Sequence, residues 1–292
     1  MKIALVTDST ANLSKEEIEK YNINVLPIPI YIDDQEYLEG IDIDSEKLFE
    51  TQRNGAGFPS TSQPKMGELI ATFDHLKDEG YDAIIDICLS SGISGSYSTL
   101  MGIAQSNPEY NLYPIDSKIT IRLMGYLVLA AAKMIEKGTY TPEEIVAKVE
   151  EIRDTVDELF VVDDLNNLSR GGRLSNAAAF IGSILNIKPL LTFDGPKIVA
   201  YDKVRSMKRA TKRIESEAIE KMKACGIPED KLRILIIQSN DAKQAEDAMS
   251  DIKAELPNAV YELDEFDPVV ATHLGEKSLG ISWMIDINQM EF

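Results

Sequence analysis

The chain has 292 residues, 44% of them hydrophobic, which is enough for one large domain or two ordinary ones. Lysine and arginine total 30 against 49 aspartate and glutamate residues, so the formal net charge is −19. A surface this acidic repels nucleic acids and anionic lipid headgroups, so any anionic ligand requires a local site.

Nothing in the sequence indicates secretion, membrane insertion, or metal or nucleotide chemistry. The two cysteines, Cys88 and Cys225, predict neither a disulfide framework nor a zinc site. The N-terminus is predicted to be a short strand rather than a signal peptide, and the longest apolar stretch, 123–134, is too short to span a membrane. No Walker loop or dinucleotide glycine pattern occurs. We therefore expect a cytoplasmic protein with no metal, no cofactor, no nucleic-acid partner and no stable membrane insertion.

The first half of the chain is predicted to alternate strands with helices. Capping boxes begin two of the helices, one at Ser14 with Glu17 and one at Thr141 with Glu144. The predicted strands are 2–7, 24–32, 36–38, 82–89 and 111–115. Further predicted helices are a short one capped by Ser45, one at 64–79, one at 97–106 and one ending at Lys137. Because helical crossovers join most of these strands, the pattern predicts a mostly parallel α/β sheet.

Residues 86–97, a strand end followed by a serine-rich turn, are the segment around which this half of the chain is organised. A buried strand ends there in a turn, Ser90 to Ser96, that holds four serines and two glycines, and a helix follows. Backbone N–H groups and the positive end of a helix point outward at such a turn, which suits an anion. The ordinary alternative is a serine-capped helix without a ligand, but a cap needs only one or two of the hydroxyls. The sequence therefore favours an anion site.

A second hydroxyl cluster, Thr61 and Ser62, lies just before the helix predicted at 64–79, where Pro64 suits the first turn. Ligands of parallel α/β sheets collect at the carboxyl ends of the strands. Asp8-Ser9, the Thr61 region, the serine turn and Asp116-Ser117 all follow such ends or lie close behind them. We therefore expect these polar segments to lie close together.

After about residue 160 hairpins as well as helices are predicted to join the strands. Asp194-Gly195 is typical of a hairpin turn. The predicted strands are 159–162, 187–193, 197–204, 232–238, 260–266 and 279–286, and the predicted helices are 176–185, 206–224 and 241–255. The pattern predicts two domains, a mostly parallel α/β domain at 1–160 and a mixed-sheet α/β domain at 161–292.

A serine hydrolase is an open alternative at this point. Residues 92–96 nearly match the nucleophile elbow, so Ser94, with His273 as base and an aspartate at a strand end, makes a triad arithmetically possible. His273 lies in a predicted loop, whereas His75 is predicted on the solvated side of a helix. The order of the triad along the chain is not the order that this elbow uses. The extra hydroxyls favour carboxylate binding instead.

Three arginines stand out in so acidic a chain. Arg170 and Arg173 flank Gly171-Gly172, and Arg205 follows a predicted strand. Isolated arginines usually lie on the solvated surface. A pair presented on a glycine turn is more typical of a clamp for a phosphate or for an acidic partner.

Five motifs occur in the order typical of one protein family. They are Thr61-Ser-Gln-Pro64, Ser90-Ser-Gly-Ile-Ser-Gly-Ser-Tyr97, Asp116-Ser117, Leu168-Ser-Arg-Gly-Gly-Arg-Leu174, and Thr272-His273 with Gly275 and Gly280. This set resembles the DegV family, the fatty-acid-binding subunits, called FakB in some bacteria, of the bacterial fatty acid kinase system. The resemblance covers essentially the whole chain, and the ordered set is specific although no single motif is.

The resemblance implies a two-domain protein that holds one long-chain fatty acid between its domains and is not itself an enzyme. A separate kinase subunit would phosphorylate the carboxylate in place, and the acyl phosphate would enter phospholipid synthesis. Arg170, Arg173 and Arg205 are implied as kinase-docking or phosphate-stabilising groups. The implied carboxylate ligands are Thr61 or Ser62, Ser94, the backbone N–H of Gly95, and His273.

The resemblance also implies an apolar tunnel for the acyl chain in the second domain. Its predicted lining is Phe180, Ile181, Ile184, Leu185 and Leu190. Burying each methylene is worth about 0.8 kcal/mol, so the tail would supply affinity while the hydroxyls fix orientation. Plain core is the ordinary alternative for such an apolar stretch.

Two departures from the family pattern concern the head group. Glu276 and Lys277 follow Gly275 where the family often has Gly-Pro-Gly, and Arg122 stands where a smaller residue is common.

The alternatives to a kinase partner are a serine hydrolase acting on acyl esters and a small-molecule sensor without kinase coupling.

Overall fold

The structure, a computed structural model, describes residues 1–176 and 187–292. All of the predicted helix 176–185 except its first residue lies outside these ranges. The described chain forms two compact units, one of residues 1–43, 61–154 and 291–292 and one of residues 44–60 and 155–290. The chain thus contributes to the second unit twice, first through a short excursion between residues 44 and 60.

Strands and helices alternate through the first unit and mix with hairpins in the second. The strands are β1 (Ile3–Asp8), β2 (Asn24–Leu26), β3 (Pro29–Ile32), β4 (Gln35–Leu38), β5 (Ser60–Thr61), β6 (Ala83–Cys88), β7 (Leu112–Asp116), β8 (Asp157–Val161), β9 (Lys188–Asp194), β10 (Lys197–Val204), β11 (Leu232–Gln238), β12 (Val260–Glu265) and β13 (Leu279–Ile285). The helices are α1 (Lys15–Tyr21), α2 (Ser45–Arg53), α3 (Met66–Asp78), α4 (Ser96–Ser106), α5 (Ile121–Lys137), α6 (Pro142–Arg153), α7 (Asn166–Arg170), α8 (Met207–Ala224), α9 (Ala242–Glu255) and α10 (Pro268–Leu274).

The first unit is built on a parallel sheet of order β2-β1-β6-β7. Every residue of β1 and of β6 is buried, as expected of central strands in a sheet that helices cover. A smaller sheet of order β4-β3-β5 contains the antiparallel hairpin β3–β4. The carboxyl ends of β1, β6 and β7 are neighbours, because these strands are parallel and adjacent.

Helix capping in the first unit follows the sequence. Ser14 with Glu17 and Thr141 with Glu144 both form complete capping boxes, at the starts of α1 and α6. Leu69 and Phe73 of α3 and Leu100 of α4 pack in one cluster with residues of β1 and β6. The nearly continuous burial of α5 explains its apolar sequence.

The second unit is built on a mixed sheet of order β10-β9-β8-β13-β11-β12. The pairs β10–β9, β9–β8, β8–β13 and β13–β11 are antiparallel, and β11–β12 is parallel. Helices α8 and α9 pack on one face of this sheet, with Ile214, Ile252 and Trp283 among the fully buried side chains of that core. The predicted α/β class, with a parallel and a mixed sheet, is confirmed.

Three predictions about element boundaries are wrong. The predicted strand 24–32 is two strands interrupted at Pro27, because proline has no N–H to donate to a ladder. Asp44, not Ser45, caps α2, and the Ser45 hydroxyl donates to the Phe266 carbonyl instead. The helix predicted to begin at Pro64 begins at Met66.

Within the described ranges, no helix combines the length and apolarity that a membrane crossing requires.

Candidate functional site

Strand ends of the parallel sheet converge on the serine turn. The carboxylate of Asp8, the last residue of β1, accepts hydrogen bonds from the Leu89 N–H at 2.9 Å and from the N–H and hydroxyl of Thr10 at 3.1 and 2.6 Å. The carboxylate of Asp116, the last residue of β7, accepts from the N–H and hydroxyl of Ser91 at 3.0 and 2.5 Å. Two carboxylates therefore hold the start of the turn that follows β6. This is the clustering that the predicted topology requires.

The serine turn presents hydroxyl and backbone N–H groups at the start of α4. The Oγ atoms of Ser94 and Ser96 are 2.9 Å apart, and the Ser96 N–H donates to Ser94 Oγ at 3.2 Å. Gly95 is exposed and Ser94 half-buried. The first N–H groups of a helix have no partner within it, and the positive end of its dipole lies there. The turn therefore has the donors that a carboxylate requires.

Gln63 brings the second hydroxyl cluster to this turn. A Cβ atom on Gly95 would lie 2.8 Å from Gln63 Oε1, so only glycine allows the side chain to lie where it does. Gln63 Nε2 also donates to Thr99 Oγ1 in α4 at 2.9 Å, and the Ser62 hydroxyl donates to the Gln63 carbonyl at 2.9 Å. Ser62 is exposed and Thr61 half-buried. The segment 61–63 thus lies beside the N-terminus of α4.

Two aspartates are buried beneath the turn. Burial raises the pKa of Asp8 to about 6, against the opposing effect of its hydrogen bonds from Thr10 and Leu89. Burial, and to a lesser extent the charge of Asp8, raises the pKa of Asp86 to about 8. Within residues 1–176 and 187–292, Asp86 Oδ2 has no hydrogen-bond partner. Asp8 is therefore the member of the pair that ionises first, and Asp86 is a neutral acid at pH 7.

His273, in the second unit, is a buried helical residue. It lies in α10, which Asp267 caps, and is 9% exposed, so the predicted loop position is wrong. A Cβ atom on Gly171 would lie 2.5 Å from His273 Nδ1, so the turn after α7 packs directly on the imidazole. Burial, and then the charge of Arg173, lowers the pKa of His273 to about 3. The ring is therefore neutral at pH 7.

The three arginines differ in their surroundings. Arg170 is exposed, with its guanidinium over the Phe58 ring at 5.7 Å. Arg173 is half-buried and donates to the Gly171 carbonyl at 2.5 Å. Arg205 is exposed just after β10. All three belong to the second unit.

Local pairing accounts for two residues that depart from the family pattern. The Arg122 guanidinium donates to both carboxylate oxygens of Glu17, at 2.7 Å each, and lies 4.7 Å from the centre of the Tyr126 ring. It therefore fastens α1 to α5. The Glu276 carboxylate accepts from Arg53 at 2.5 Å and from Asn240 at 2.8 Å, while Lys277 is exposed.

Of the five predicted tunnel residues, Leu190 alone lies within the described part of the chain. It is fully buried in the core under α8 and α9, on the packed face of the second sheet. Phe180, Ile181, Ile184 and Leu185 lie outside the described residues, and their role stays a prediction.

No group of three or more histidine, cysteine, aspartate or glutamate side chains suited to a metal occurs among residues 1–176 and 187–292. His75 is exposed on α3, with Nε2 3.3 Å from a Glu79 oxygen, on the solvated side as predicted.

Sequence analysis missed the roles of Gln63 and Asp86. Gln63 lies inside the Thr61–Pro64 motif, but its contact with Gly95 joins segments far apart in sequence. Asp86 had a local signal, because it is an acid within the apolar run of a fully buried strand. A buried acid at such a position indicates a neutral or specifically held carboxyl group.

Comparison with known proteins finds relatives along the length of the chain. Residues 2–286 match the DegV family, described as "Uncharacterised protein, DegV family". Protein DegV of Bacillus subtilis (strain 168) is 40% identical over 283 residues, which are 97% of this chain and 99% of that protein.

Solved structures agree with this result. The crystal structure of DegV from Bacillus subtilis, described as a fatty acid binding protein, is 39% identical with a TM-score of 0.86, covering 98% of this chain and 99% of that chain. A fatty acid binding DegV family protein from Streptococcus agalactiae is 34% identical with a TM-score of 0.88, again covering 98% of this chain and 99% of that chain. The shared fold therefore extends over nearly the whole of each chain.

Proposed function

The chain belongs to the DegV family, and on that premise we propose that it binds one long-chain fatty acid and presents the carboxylate to a kinase. The kinase forms an acyl phosphate that feeds phospholipid synthesis, as in the FakB subunits that the motifs resemble. The protein is the lipid-binding partner and supplies no catalytic residue. Solved relatives described as fatty-acid-binding, at 39% and 34% identity, support the ligand class. In this proposal residues 1–160 carry the carboxylate site and residues 161–292 the acyl chain.

The contact of Gln63 with Gly95 is the observation that carries the carboxylate site. It places one hydroxyl cluster beside the N-terminus of α4, where the other already lies. Hydrogen bonds to a charged group contribute about 1.5–3 kcal/mol each, and desolvating the carboxylate offsets much of this. The site therefore selects an acid and sets its orientation. The proposed ligands are the hydroxyls of Thr61, Ser62 and Ser94, the N–H of Gly95, and the neutral imidazole of His273.

The acyl chain supplies the affinity, at about 0.8 kcal/mol for each buried methylene. Helices α8 and α9 fill one face of the second sheet, and Leu190 is part of that packing. A chain held in this unit therefore lies against the opposite face. The strand register assigns Phe160, Leu191 and Gly280 to that face.

The arginines of the second unit are proposed to meet the kinase or the phosphate that it transfers. Arg170 and Arg205 are exposed, and Arg173 is held on the same turn as Arg170. In a chain of net charge −19, Arg170 and Arg173 on one turn form a local site for an acidic partner, whereas Arg205 lies apart, because Leu174 pairs with Ile198 at the opposite end of β10. Arginine suits this role because its planar guanidinium can bind a carboxylate or a phosphate with two hydrogen bonds.

The geometry does not favour the hydrolase alternative. A buried histidine with a pKa of about 3 is a weak general base at pH 7. The Asp8 carboxylate, a candidate to orient that base, accepts its hydrogen bonds from Thr10 and Leu89. The Ser94 hydroxyl lies against Ser96.

Mass spectrometry of the denatured protein tests the ligand. We expect about one long-chain acid per chain. Ser94→Ala is expected to weaken retention of the acid about tenfold, the effect of losing one charged hydrogen bond. Ser98→Ala is the matched control, because Ser98 is exposed on the first turn of the same helix. An extract without fatty acid, or equal retention by the two variants, would contradict the proposal. A fluorophosphonate that labels Ser94 would support the hydrolase instead.

Reconstitution with a fatty acid kinase and ATP tests the partner. Acyl phosphate is the expected product, and replacing Arg170 and Arg173 with alanine is expected to slow its formation without loss of bound acid. Replacing the exposed Lys231, which directly precedes β11 in the same unit, provides a control for the loss of a surface positive charge. Bound acid that no kinase phosphorylates would favour a sensor.

A further inference from the structure

A buried polar pair, Glu158 and Ser282, lies on the face of the second sheet that α8 and α9 leave uncovered, separate from the Arg233–Glu262 ion pair on the same face. Glu158 in β8 lies opposite Ser282 in β13, and the Ser282 hydroxyl donates to Glu158 Oε2 at 3.3 Å. Glu158 is 5% exposed and Ser282 fully buried. Both therefore lie away from water among apolar neighbours, where polar groups are stable only if they are hydrogen-bonded.

The strand register fixes which face the pair occupies. Residues directly opposite each other in antiparallel strands share a face, and alternate residues along a strand point to opposite faces. Leu159 and Ile281 belong to the core under α8 and α9, so their neighbours Glu158 and Ser282 point the other way. The same register places Leu235 beside Ser282. The pair thus lies on the face proposed for the acyl chain.

The hydrogen-bonding capacity of the pair is only partly used. Burial raises the pKa of Glu158 to about 8, so at pH 7 its carboxyl group carries a proton and can donate as well as accept. Within the described part of the chain, the Glu158 carboxyl makes one hydrogen bond, at the long distance of 3.3 Å, with Ser282. A methylene next to this pair would leave its remaining donor and acceptor unmet, whereas an oxygen substituent would satisfy them.

The position of the pair along the sheet specifies where that oxygen lies. His273 is near the end of α10, and β13 begins at Leu279, shortly after it. Ser282 is three residues farther along β13, about 10 Å at a rise of about 3.4 Å per residue. This length corresponds to roughly eight carbon–carbon bonds of an extended chain. Because this length is counted from Leu279, six residues after His273, a group that reaches the pair lies beyond about the eighth bond of the acyl chain, toward the middle of a long-chain acid.

We propose that Glu158 and Ser282 form a specificity site for a long-chain fatty acid that carries a hydroxyl or keto oxygen near the middle of its chain. This inference rests on the proposed function, because it places the acyl chain on this face of the second unit. The ligand class is an oxygenated acyl chain, recognised through one carboxylic acid and one hydroxyl. Gly280, on the same face of β13, has no side chain, and the buried Phe266 ring packs there, with Cζ 3.1 Å from where a Cβ atom would lie.

Competition between isomers tests the site. Protein freed of lipid is offered equal amounts of octadecanoic acid, 10-hydroxyoctadecanoic acid and 5-hydroxyoctadecanoic acid, and the retained acids are measured by mass spectrometry. We expect the wild type to retain more of the 10-hydroxy acid than of the 5-hydroxy isomer. The two isomers lose the same hydration when their hydroxyl is buried, so a difference reports the position of the hydroxyl. Glu158→Leu is expected to lower the ratio of 10-hydroxy acid to octadecanoic acid about tenfold. Ser282→Ala, a smaller change that keeps the assay available if Glu158→Leu does not fold, is expected to lower it severalfold.

Glu215→Gln is the matched control. Glu215 is also a buried glutamate, but it lies on α8, on the packed side of the sheet, and pairs with Lys212. Its ratio of retained acids is expected to equal that of the wild type. Equal retention of the two hydroxy isomers, or a ratio that Glu158→Leu and Ser282→Ala leave unchanged, would overturn the inference while octadecanoic acid still binds. Failure of the proposed function looks different, because none of the three acids would then be retained.

Discussion

The serine turn of the first unit and the arginine turn of the second are held in place by different physical means. Hydrogen bonds to carboxylates fix the serine turn, with Asp8 accepting from Leu89 and Asp116 accepting from Ser91. Close packing fixes the arginine turn, where Gly171 lies against the neutral ring of His273. A turn of the first kind fails when an acceptor is removed. A turn of the second kind fails when volume is added.

The difference suits the proposed roles of the two turns. Donors that bind a carboxylate must be preorganised, and directional hydrogen bonds from the sheet edge provide this for the serine turn. The arginine turn has to present long cationic side chains, whose own flexibility lets them adapt to a partner. Packing of Gly171 on the His273 ring fixes the backbone, Arg173 adds a hydrogen bond to the Gly171 carbonyl, and Arg170 stays exposed.

Removing the Asp8 carboxylate tests whether hydrogen bonds hold the serine turn, and it has the largest expected effect. Asp8→Ala leaves three donors, from Thr10 and Leu89, without their acceptor, so we expect a loss of about 3 kcal/mol in the free energy of unfolding. Urea unfolding followed by circular dichroism measures it. The control is Asp78→Ala, an exposed acid at the end of α3, for which a change within about 0.5 kcal/mol is expected. Equal stabilities of the two variants would contradict the claim that the Asp8 carboxylate holds the serine turn.

Adding one methyl group tests the packed turn. Gly171→Ala places a Cβ atom 2.5 Å from His273 Nδ1, and relieving such an overlap is expected to cost about 2 kcal/mol. In Gly102→Ala, a glycine inside α4, the new Cβ meets nothing within 4 Å, so the free energy of unfolding is expected to stay the same or to rise by about 0.5–1 kcal/mol. Urea unfolding of both variants gives the comparison. A Gly171→Ala protein as stable as Gly102→Ala would show that the turn does not rest on the imidazole.

Asp86 under the serine turn and His273 under the arginine turn are expected to change stability with pH in opposite directions, by smaller amounts than the two substitutions above. The pKa of Asp86, about 8 when folded against 3.8 ordinarily, is raised, so its favourable contribution is complete below pH 3.8 and is lost as the pH rises to about 8. His273 has the opposite sign, because a pKa of about 3 against 6.5 makes stability fall as the pH drops below 6.5. Asp86→Asn is expected to remove a slope of at most about 1.4 kcal/mol per pH unit between pH 5 and 8. Urea unfolding at four pH values measures this slope. A slope that Asp86→Asn leaves unchanged would show that Asp86 is not the neutral buried acid.

Local signals in the sequence predicted local structure well. The capping boxes at Ser14 and Thr141 depend on residues three apart, and both formed as predicted. The helix cap at Ser45 was wrong because its neighbour Asp44 competes for the same N–H groups, and the outcome depends on where the Ser45 hydroxyl finds another acceptor. That acceptor, the Phe266 carbonyl, is 221 residues away. Sequence spacing contains no information about such a partner.

The candidate site shows the same limit. Its hydroxyl residues were predicted because four serines and two glycines at a strand end are unusual in composition. The contact of Gln63 with Gly95 was not predicted, because it joins segments far apart in sequence, and neither was the neutral Asp86, whose raised pKa depends on burial and on the charge of Asp8. The burial of His273 likewise depends on α7, about a hundred positions earlier in the chain.

Trp283 has a practical consequence for all of these measurements. It is the single tryptophan of the chain and is 1% exposed, within β13 of the second unit. Indole emission is consequently a native optical reporter of one unit, whereas an ellipticity signal averages over both. Divergence between the two melting curves would measure how far the halves uncouple, without any label being attached.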